Sequence, residues 1–205
     1  SLPPDYVRCL FDQYAGRYDR HLIDVLDYRG HLLIRDAAAR LGAGGDVLDL
    51  GCGTGLTGAA VRSRARRLAG IDLSPRMIDK ARALEIYDSL EVAELIVALA
   101  ASPASWDLLV AADVLGYLGE LGPTFQAAAA ALRPGGLFLG TVEELAEGDV
   151  PVLRPTRRFA HPASHVRDRA AAAGLDIALF ERATLRREKG VPVGGLVFAL
   201  RRLSR

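Results

Sequence analysis

The residues with the clearest chemical potential lie in Val47-Leu48-Asp49-Leu50-Gly51-Cys52-Gly53-Thr54-Gly55. An apolar run leads into an acid and then into alternating glycines. That order reads as a buried parallel strand, a tight turn and a helix starting near Leu56. Glycines let the turn take φ > 0 and let a ligand lie directly against the backbone. Gly53-Thr54-Gly55-Leu56-Thr57-Gly58 fits the G-x-G-x-x-G pattern of dinucleotide sites. Asp49, ahead of the first glycine, would repel a pyrophosphate but suits a cationic amino acid moiety. It could equally accept hydrogen bonds from the loop itself. A second acid, Asp72, follows Gly51 by about 20 residues, the spacing at which a carboxylate accepts both ribose hydroxyls of a nucleoside. That second acid argues against a glycine-rich turn that holds nothing.

Further polar residues stand at the carboxyl ends of apolar runs, where open α/β sheets bind ligands. Glu94 follows the run Leu90 to Val92. It is placed either to accept an adenine amino group or to start a helix as an acid favoured by the helix dipole. Asp113 and Tyr117 follow Trp106 to Ala112, and Asp113 is placed for function or to cap the turn. Glu143 and Glu144 follow Leu137 to Val142. The stretch Glu147 to Pro162, with Arg157, Arg158 and His161, is a substrate-side loop or an ordinary surface connection. Near the start, Phe11, Tyr14, Tyr18 and His21 fall at spacings of 3, 4 and 3 and share one face if the segment is helical across Gly16. They either pack on the domain or cover its ligand as a lid. Leu73 and Leu95 flank the two ligand-side acids, and Cys52 reads as a small filler of the glycine loop.

The elements that must position these groups alternate. Helices are expected over Gly30 to Leu41, Leu56 to Ala65, from Pro75 with Ser74 as N-cap, over Pro123 to Leu132 and over Ala163 to Ala173. Strands are expected over Asp46 to Leu50, Leu68 to Asp72, Leu90 to Val92, Trp106 to Ala112 and Leu137 to Val142. A closing antiparallel pair, Leu175 to Arg186 and Val191 to Arg201, is joined by Arg187-Glu188-Lys189-Gly190. Arg62, Arg64, Arg66 and Arg67 are expected to form a solvated face at a helix C-terminus.

At 205 residues and 50% hydrophobic, the chain can bury one sizeable α/β core. A net charge of +1 shows no nucleic-acid footprint. Two cysteines, Cys9 and Cys52, make no disulfide framework. No apolar run approaches the ~18 residues of a membrane span and no signal peptide is visible, so a cytoplasmic setting is expected. The single methionine is Met77, so Ser1 is expected not to be an untouched translation start, and the chain to be an excised domain or a processed product.

Asp49, Gly51, Gly53 and Gly55 resemble motif I, D-x-G-x-G-x-G, of the class I S-adenosylmethionine (SAM)-dependent methyltransferases. Asp72 resembles their motif II acid, and Leu132-Arg133-Pro134-Gly135-Gly136 the segment before their fifth strand. The resemblance covers most of the chain. It implies a Rossmann-like three-layer α/β sandwich with a seven-stranded, mostly parallel sheet whose last strand is antiparallel. It implies a single domain over 1–205, with a helical lid over 1–28 and a nucleotide-binding core over 46–202. SAM is the implied cofactor, S-adenosylhomocysteine (SAH) its product, and no metal is expected. The implied cofactor-binding set is Asp49, Gly51, Cys52, Gly53, Gly55, Asp72, Leu73, Glu94, Leu95 and Asp113, with Tyr14 and Tyr18. The stretch Phe11 to Leu22 looks like the opening of methyltransferase domains that follow tetratricopeptide repeats in some bacterial proteins.

A sulfonium makes its methyl electrophilic, so catalysis can rest on in-line positioning and exclusion of water. A base is needed only if the nucleophile must lose a proton; His161, Tyr117, Glu143 and His165 are the candidates. The acceptor is a small molecule or a protein side chain, with no nucleic acid or membrane partner expected. Two rival readings stand beside this one: a SAM-binding scaffold without activity, and an NAD-dependent oxidoreductase.

Overall fold

The computed structural model describes residues 1–14 and 26–203, without the side chain of Tyr14. Tyr18 and His21, expected on the lid face, lie outside the described residues. The first element is α1 (Pro4–Tyr14). After it come α2 (Gly30–Arg40), β1 (Gly45–Leu50), α3 (Leu56–Val61), β2 (Ala65–Asp72), α4 (Pro75–Arg82) and β3 (Ser89–Val92). The chain goes on through α5 (Leu95–Ala100), β4 (Trp106–Ala111), α6 (Gly122–Ala131) and β5 (Leu132–Glu144). The remaining elements are β6 (Val152–Leu153), β7 (Phe159–His161), α7 (Ala163–Ala172), β8 (Leu175–Glu188) and β9 (Val191–Arg202).

β1 is central, paired in parallel with β2 on one side and β4 on the other. A strand covered on both faces must be apolar along its length, and Val47, Leu48 and Leu50 are all buried. The order runs β3-β2-β1-β4-β5. β9 then joins β5 antiparallel, from Leu137↔Arg201 to Glu143↔Gly195, and β8 pairs antiparallel with β9. These seven strands are the sheet expected from the sequence. Two short strands add to it where an irregular segment was expected. Glu143 pairs with Gly195 of β9 and also with Ala160 of β7, so β7 must lie on the edge of β5 that β4 occupies lower down. The 145–162 segment thereby folds back over the carboxyl end of β4.

Alternation along the strands splits the core in two. Leu48, Leu50, Leu109 and Phe138 pack with Leu99 of α5, Phe125 of α6 and Val166 of α7. Val47, Leu68, Leu108 and Leu139 pack with Ile34 and Ala38 of α2 and Val61 of α3. Helices therefore cover both sheet faces, the three-layer arrangement. Phe125, Phe138 and Phe198 meet edge to face with centroids 5.7–5.8 Å apart, the geometry that the ring quadrupole favours.

The basic run after α3 departs from expectation. α3 stops at Val61, a single 3₁₀ turn spans Arg62–Arg64, and β2 begins at Ala65. Arg66 is therefore on a strand rather than a helix end, and its guanidinium meets Asp46 at 2.9 Å. Arg133 reaches the same Asp46 at 2.9 Å and Asp107 at 2.8 Å. Arg67 lies 4.4 Å over the Trp106 ring. The amino ends of β1, β2 and β4 are tied by these contacts, and the carboxyl ends are left for a ligand. Among the described residues, no helix is long and apolar enough to cross a membrane.

Candidate active site

A cleft of about 800 Å³, counted to its open mouth, lies over the carboxyl ends of β1, β2 and β4. The chain winds away in opposite directions on either side of the β1–β4 boundary, which opens a crevice there. Gly51 and Gly53 form its floor. Gly51, Gly53 and Gly55 have φ of +63°, +54° and +99°, which L side chains adopt at a cost. A Cβ on Gly51 would also stand 2.5 Å from Val114, so the glycine permits both the turn and its approach to the neighbouring loop.

Asp72 reaches the cleft from the end of β2. Its Oδ2 accepts the Gly53 N–H at 2.9 Å and its Oδ1 the Ser74 N–H at 2.8 Å. The carboxylate thus fixes the glycine loop and α4 to each other while facing the cleft. Burial pushes its pKa up, and those two N–H groups oppose the shift. Ser74 caps α4 as expected, accepting from the Met77 N–H at 3.1 Å. Its hydroxyl donates to Asp12 of α1 at 2.5 Å.

Glu94 and Leu95 line the far wall with Leu73. One oxygen of Glu94 accepts the Val97 N–H at 2.9 Å, so Glu94 caps α5 from a position on the cleft. α1 closes the near side. Leu2, Pro4, Val7 and Phe11 line the cleft, the Leu2 N–H donates to the Tyr117 carbonyl at 3.0 Å, and Phe11 meets the Tyr117 ring edge-on at 5.4 Å.

Asp49, Cys52 and Gly55 do not line the cleft, although the sequence grouped them with the cofactor contacts. Asp49 is buried, and its partners lie outside the glycine loop. The Tyr87 hydroxyl donates to its Oδ2 at 2.7 Å and the Gly58 amide donates as well. Burial raises its pKa to about 7, with the Tyr87 hydrogen bond opposing. Cys52 fills a small apolar cluster with Ile78 and Ala81, and burial drives its thiol pKa far up, so it is inert. Gly55 is the N-cap of α3. Sequence reading missed Tyr87. Its ring is seated against Gly58 and Gly70, where an added Cβ would come within 2.1 Å of the hydroxyl and 2.8 Å of the ring. Those glycines, one inside a helix and one inside a strand, were the available signal.

The four candidate bases separate. Tyr117 lines the cleft; burial raises its pKa to about 12, which makes it a hydrogen-bond donor rather than a base. His161 is wholly buried away from the cleft, and its Nε2 lies 2.8 Å from the Leu118 carbonyl, which assigns the proton to that nitrogen. Burial lowers its pKa to about 4. His165 accepts from the Leu121 N–H at 3.4 Å, and burial lowers its pKa too. Glu143 is buried against Arg186 at 2.6 Å. Asp113 lines the cleft, its N–H donating to Thr141 Oγ1 at 3.2 Å and its Oδ1 accepting from Arg158. No group of three or more possible metal ligands occurs among the described residues.

Comparison with known proteins agrees with this geometry. A family described as "Methyltransferase domain" matches residues 48–138. A ubiquinone biosynthesis O-methyltransferase of Xylella fastidiosa is 33% identical over 105 residues, 49% of this chain and 43% of the relative. The enzyme of that name from Idiomarina loihiensis is 29% identical over 155 residues, 66% of this chain and 64% of the relative. The chain thus spans about half the length of these curated relatives. Among solved structures, the Burkholderia thailandensis 1,6-didemethyltoxoflavin-N1-methyltransferase, with its substrate and SAH bound, superposes with a TM-score of 0.75 at 20% identity. It covers 100% of this chain and 92% of its own. The [4+2]-cyclase SpnF superposes at 0.69 with 20% identity, over 85% of this chain and 81% of its own. At such identities the likeness concerns the fold. Residues 48–138 match the methyltransferase-domain family, and the chain as a whole carries the Rossmann-like α/β fold found in the SAM-dependent methyltransferases.

Proposed function

We propose that SAM occupies the cleft over β1, β2 and β4 and that its methyl passes to an oxygen of a small-molecule acceptor. The observation that carries this reading is the junction of Gly51, Gly53 and Asp72. A glycine floor admits the cofactor's amino acid portion against the backbone, and the carboxylate beyond it is within the wall where a ribose must lie. Glu94 stands further along the same wall for the adenine edge. The names of the two curated relatives support oxygen as the nucleophile, and a cleft walled by α1 supports a small acceptor over a protein segment. With SAM bound, the cofactor supplies the electrophilic methyl. The chain's own residues hold it, cover it with α1 and Tyr117, and keep water from the reacting centre. The stretch Phe11 to Leu22 supports a placement after tetratricopeptide repeats, and residues 15–22 of it lie outside the described residues.

Calorimetry with SAM, SAH and NAD tests the cofactor. Binding of SAM and SAH is expected and binding of NAD is not; NAD binding without SAM binding overturns the reading. A cyclase shares this fold, so the fold is not tied to methyl transfer, and a second reading is a SAM-binding scaffold without activity. Radiolabelled SAM incubated with a panel of phenols and hydroxylated acids separates the two.

A further inference from the structure

The loop that follows β4 is gripped along its length by residues at β7. Arg158, just before that strand, donates to the Asp113 carboxylate, and its guanidinium lies 5.2 Å over the Tyr117 ring. Phe159 packs on Gly119, where an added Cβ would stand 2.9 Å from the ring. His161 Nε2 is 2.8 Å from the Leu118 carbonyl. β7 is itself fixed to the end of β5, by Glu143↔Ala160 and Glu144↔His161. Asp113, Val114, Tyr117 and Leu118 of the gripped loop line the cleft, and Arg158 does not.

Tyr117 is the joint between this loop and the N-terminal segment. Its carbonyl accepts the Leu2 N–H at 3.0 Å, and its ring meets Phe11 of α1 edge-on at 5.4 Å. Arg158 reaches the same ring from β7. A planar guanidinium can bond a carboxylate and lie over an aromatic ring at once. The Arg158 and Asp113 side chains are only 13% and 9% exposed, so salt screens their attraction little.

We propose that Arg158 is a positioning residue for the cleft: it sets the place of Tyr117 and, through Tyr117, holds α1 over the cofactor. The inference deepens the SAM reading above and rests on it. Arg158 acts from outside the cleft. Asp113 directs the guanidinium, and Tyr117 carries its hold to Leu2 and Phe11. Loss of Arg158 loosens the wall formed by α1 and the 113–119 loop and leaves the sheet as it was.

Removing Arg158 alone strands a buried carboxylate, which costs stability for a reason unrelated to the cleft. The test is therefore made in an Asp113→Asn background, since asparagine is neutral and tolerates positive φ. The background, its Arg158→Met and Phe11→Ala derivatives, and the variant carrying all three changes are compared by thermal melts and by calorimetry with SAH. Relative to the background, whatever its own affinity, Arg158→Met is expected to weaken SAH binding about tenfold. Phe11→Ala is expected to cost about as much in the background but less than about threefold once Arg158 is gone, because both act through one ring. Losses that simply multiply, or SAH affinity unmoved by Arg158→Met, overturn the proposal. Loss of folding in the Arg158→Met derivative makes Arg158 a stabiliser of the fold and also overturns it. Hydrogen exchange without ligand gives a second readout. Amides in 4–11 and 113–119 are expected to exchange faster after Arg158→Met, with those of β1 and β4 unchanged; equal acceleration in β1 and β4 refutes the positioning role. Failure of wild type to bind SAH removes the cofactor reading instead, and the exchange pattern then decides alone whether Arg158 holds α1.

Discussion

The Tyr87 hydroxyl donates to Asp49 Oδ2 at 2.7 Å, across 38 residues of sequence, and neither residue lines the cleft. The acid that leads the glycine motif is therefore a buried brace for the loop. The ring beside it fills the space that Gly58 and Gly70 leave open.

Tyr87→Phe removes that donor and leaves a buried carboxyl oxygen short of a partner, at a cost of about 1–3 kcal/mol. The folded pKa of Asp49, about 7, lies above the ordinary aspartate value of 3.8. The folded state therefore binds the extra proton, and the stability Asp49 contributes is full below 3.8 and lost as pH rises through 7. The donor supports the charged form most, so the variant should lose more stability at pH 8 than at pH 5. Urea unfolding at both pH values checks this; an equal loss at both would count against the brace.

Asp72 does two jobs, and its substitution should show both. Its oxygens each hold a loop or helix N–H. Asp72→Asn puts an amide N–H against one of those donors. The melting temperature should fall, and SAH affinity should drop by about tenfold or more, in line with about 1.5–3 kcal/mol for each hydrogen bond to a charged group. Calorimetry beside thermal melts separates the two effects. A folded variant with wild-type SAH affinity would remove Asp72 from the cofactor site.

His161 makes the acid side of the stability curve steep. Its folded pKa, lowered to about 4 by burial, lies below the ordinary histidine value of 6.5. Between those values the unfolded chain binds a proton that the folded chain does not, so stability falls as pH falls through that window. The slope is about 1.4 kcal/mol per pH unit, and His165, lowered in the same direction, adds to it. His161→Gln should flatten the dependence of the urea midpoint between pH 6.5 and 4, and an unchanged slope would show that His161 does not titrate in this way.

The N-terminal helix gives the fourth prediction. α1 touches the cleft through Val7 and Phe11 and is tied to Ser74 and Tyr117. We propose that it acts as a lid. Phe11→Ala should weaken SAH binding by about tenfold, equivalent to 1.4 kcal/mol, with little change in the melt, and should speed SAH release in stopped-flow measurements. A lower melting temperature with SAH binding intact would make α1 a packing element only.

Local sequence determined the parts whose physics is local. Glycines at 51, 53 and 55 announce a turn with positive φ because few other residues accept it. Ser74-Pro75 announces a helix start because a hydroxyl there satisfies the Met77 N–H and proline gives up no needed donor. Apolar runs ending in acids placed the parallel strands and their ligand-bearing ends. Tertiary structure decided which acid faces which way. Asp49 and Asp72 both end strands, yet one meets Tyr87 in the interior and the other meets the cleft, and nothing adjacent to either in the chain distinguishes them. Asp113 gains Arg158 across 45 residues and Glu143 gains Arg186 across 43, because β7 returns along the β5 edge beyond β4 and β8 is carried in by β9. Those pairings follow from sheet order and register, which arise from packing of the whole core rather than from any one segment.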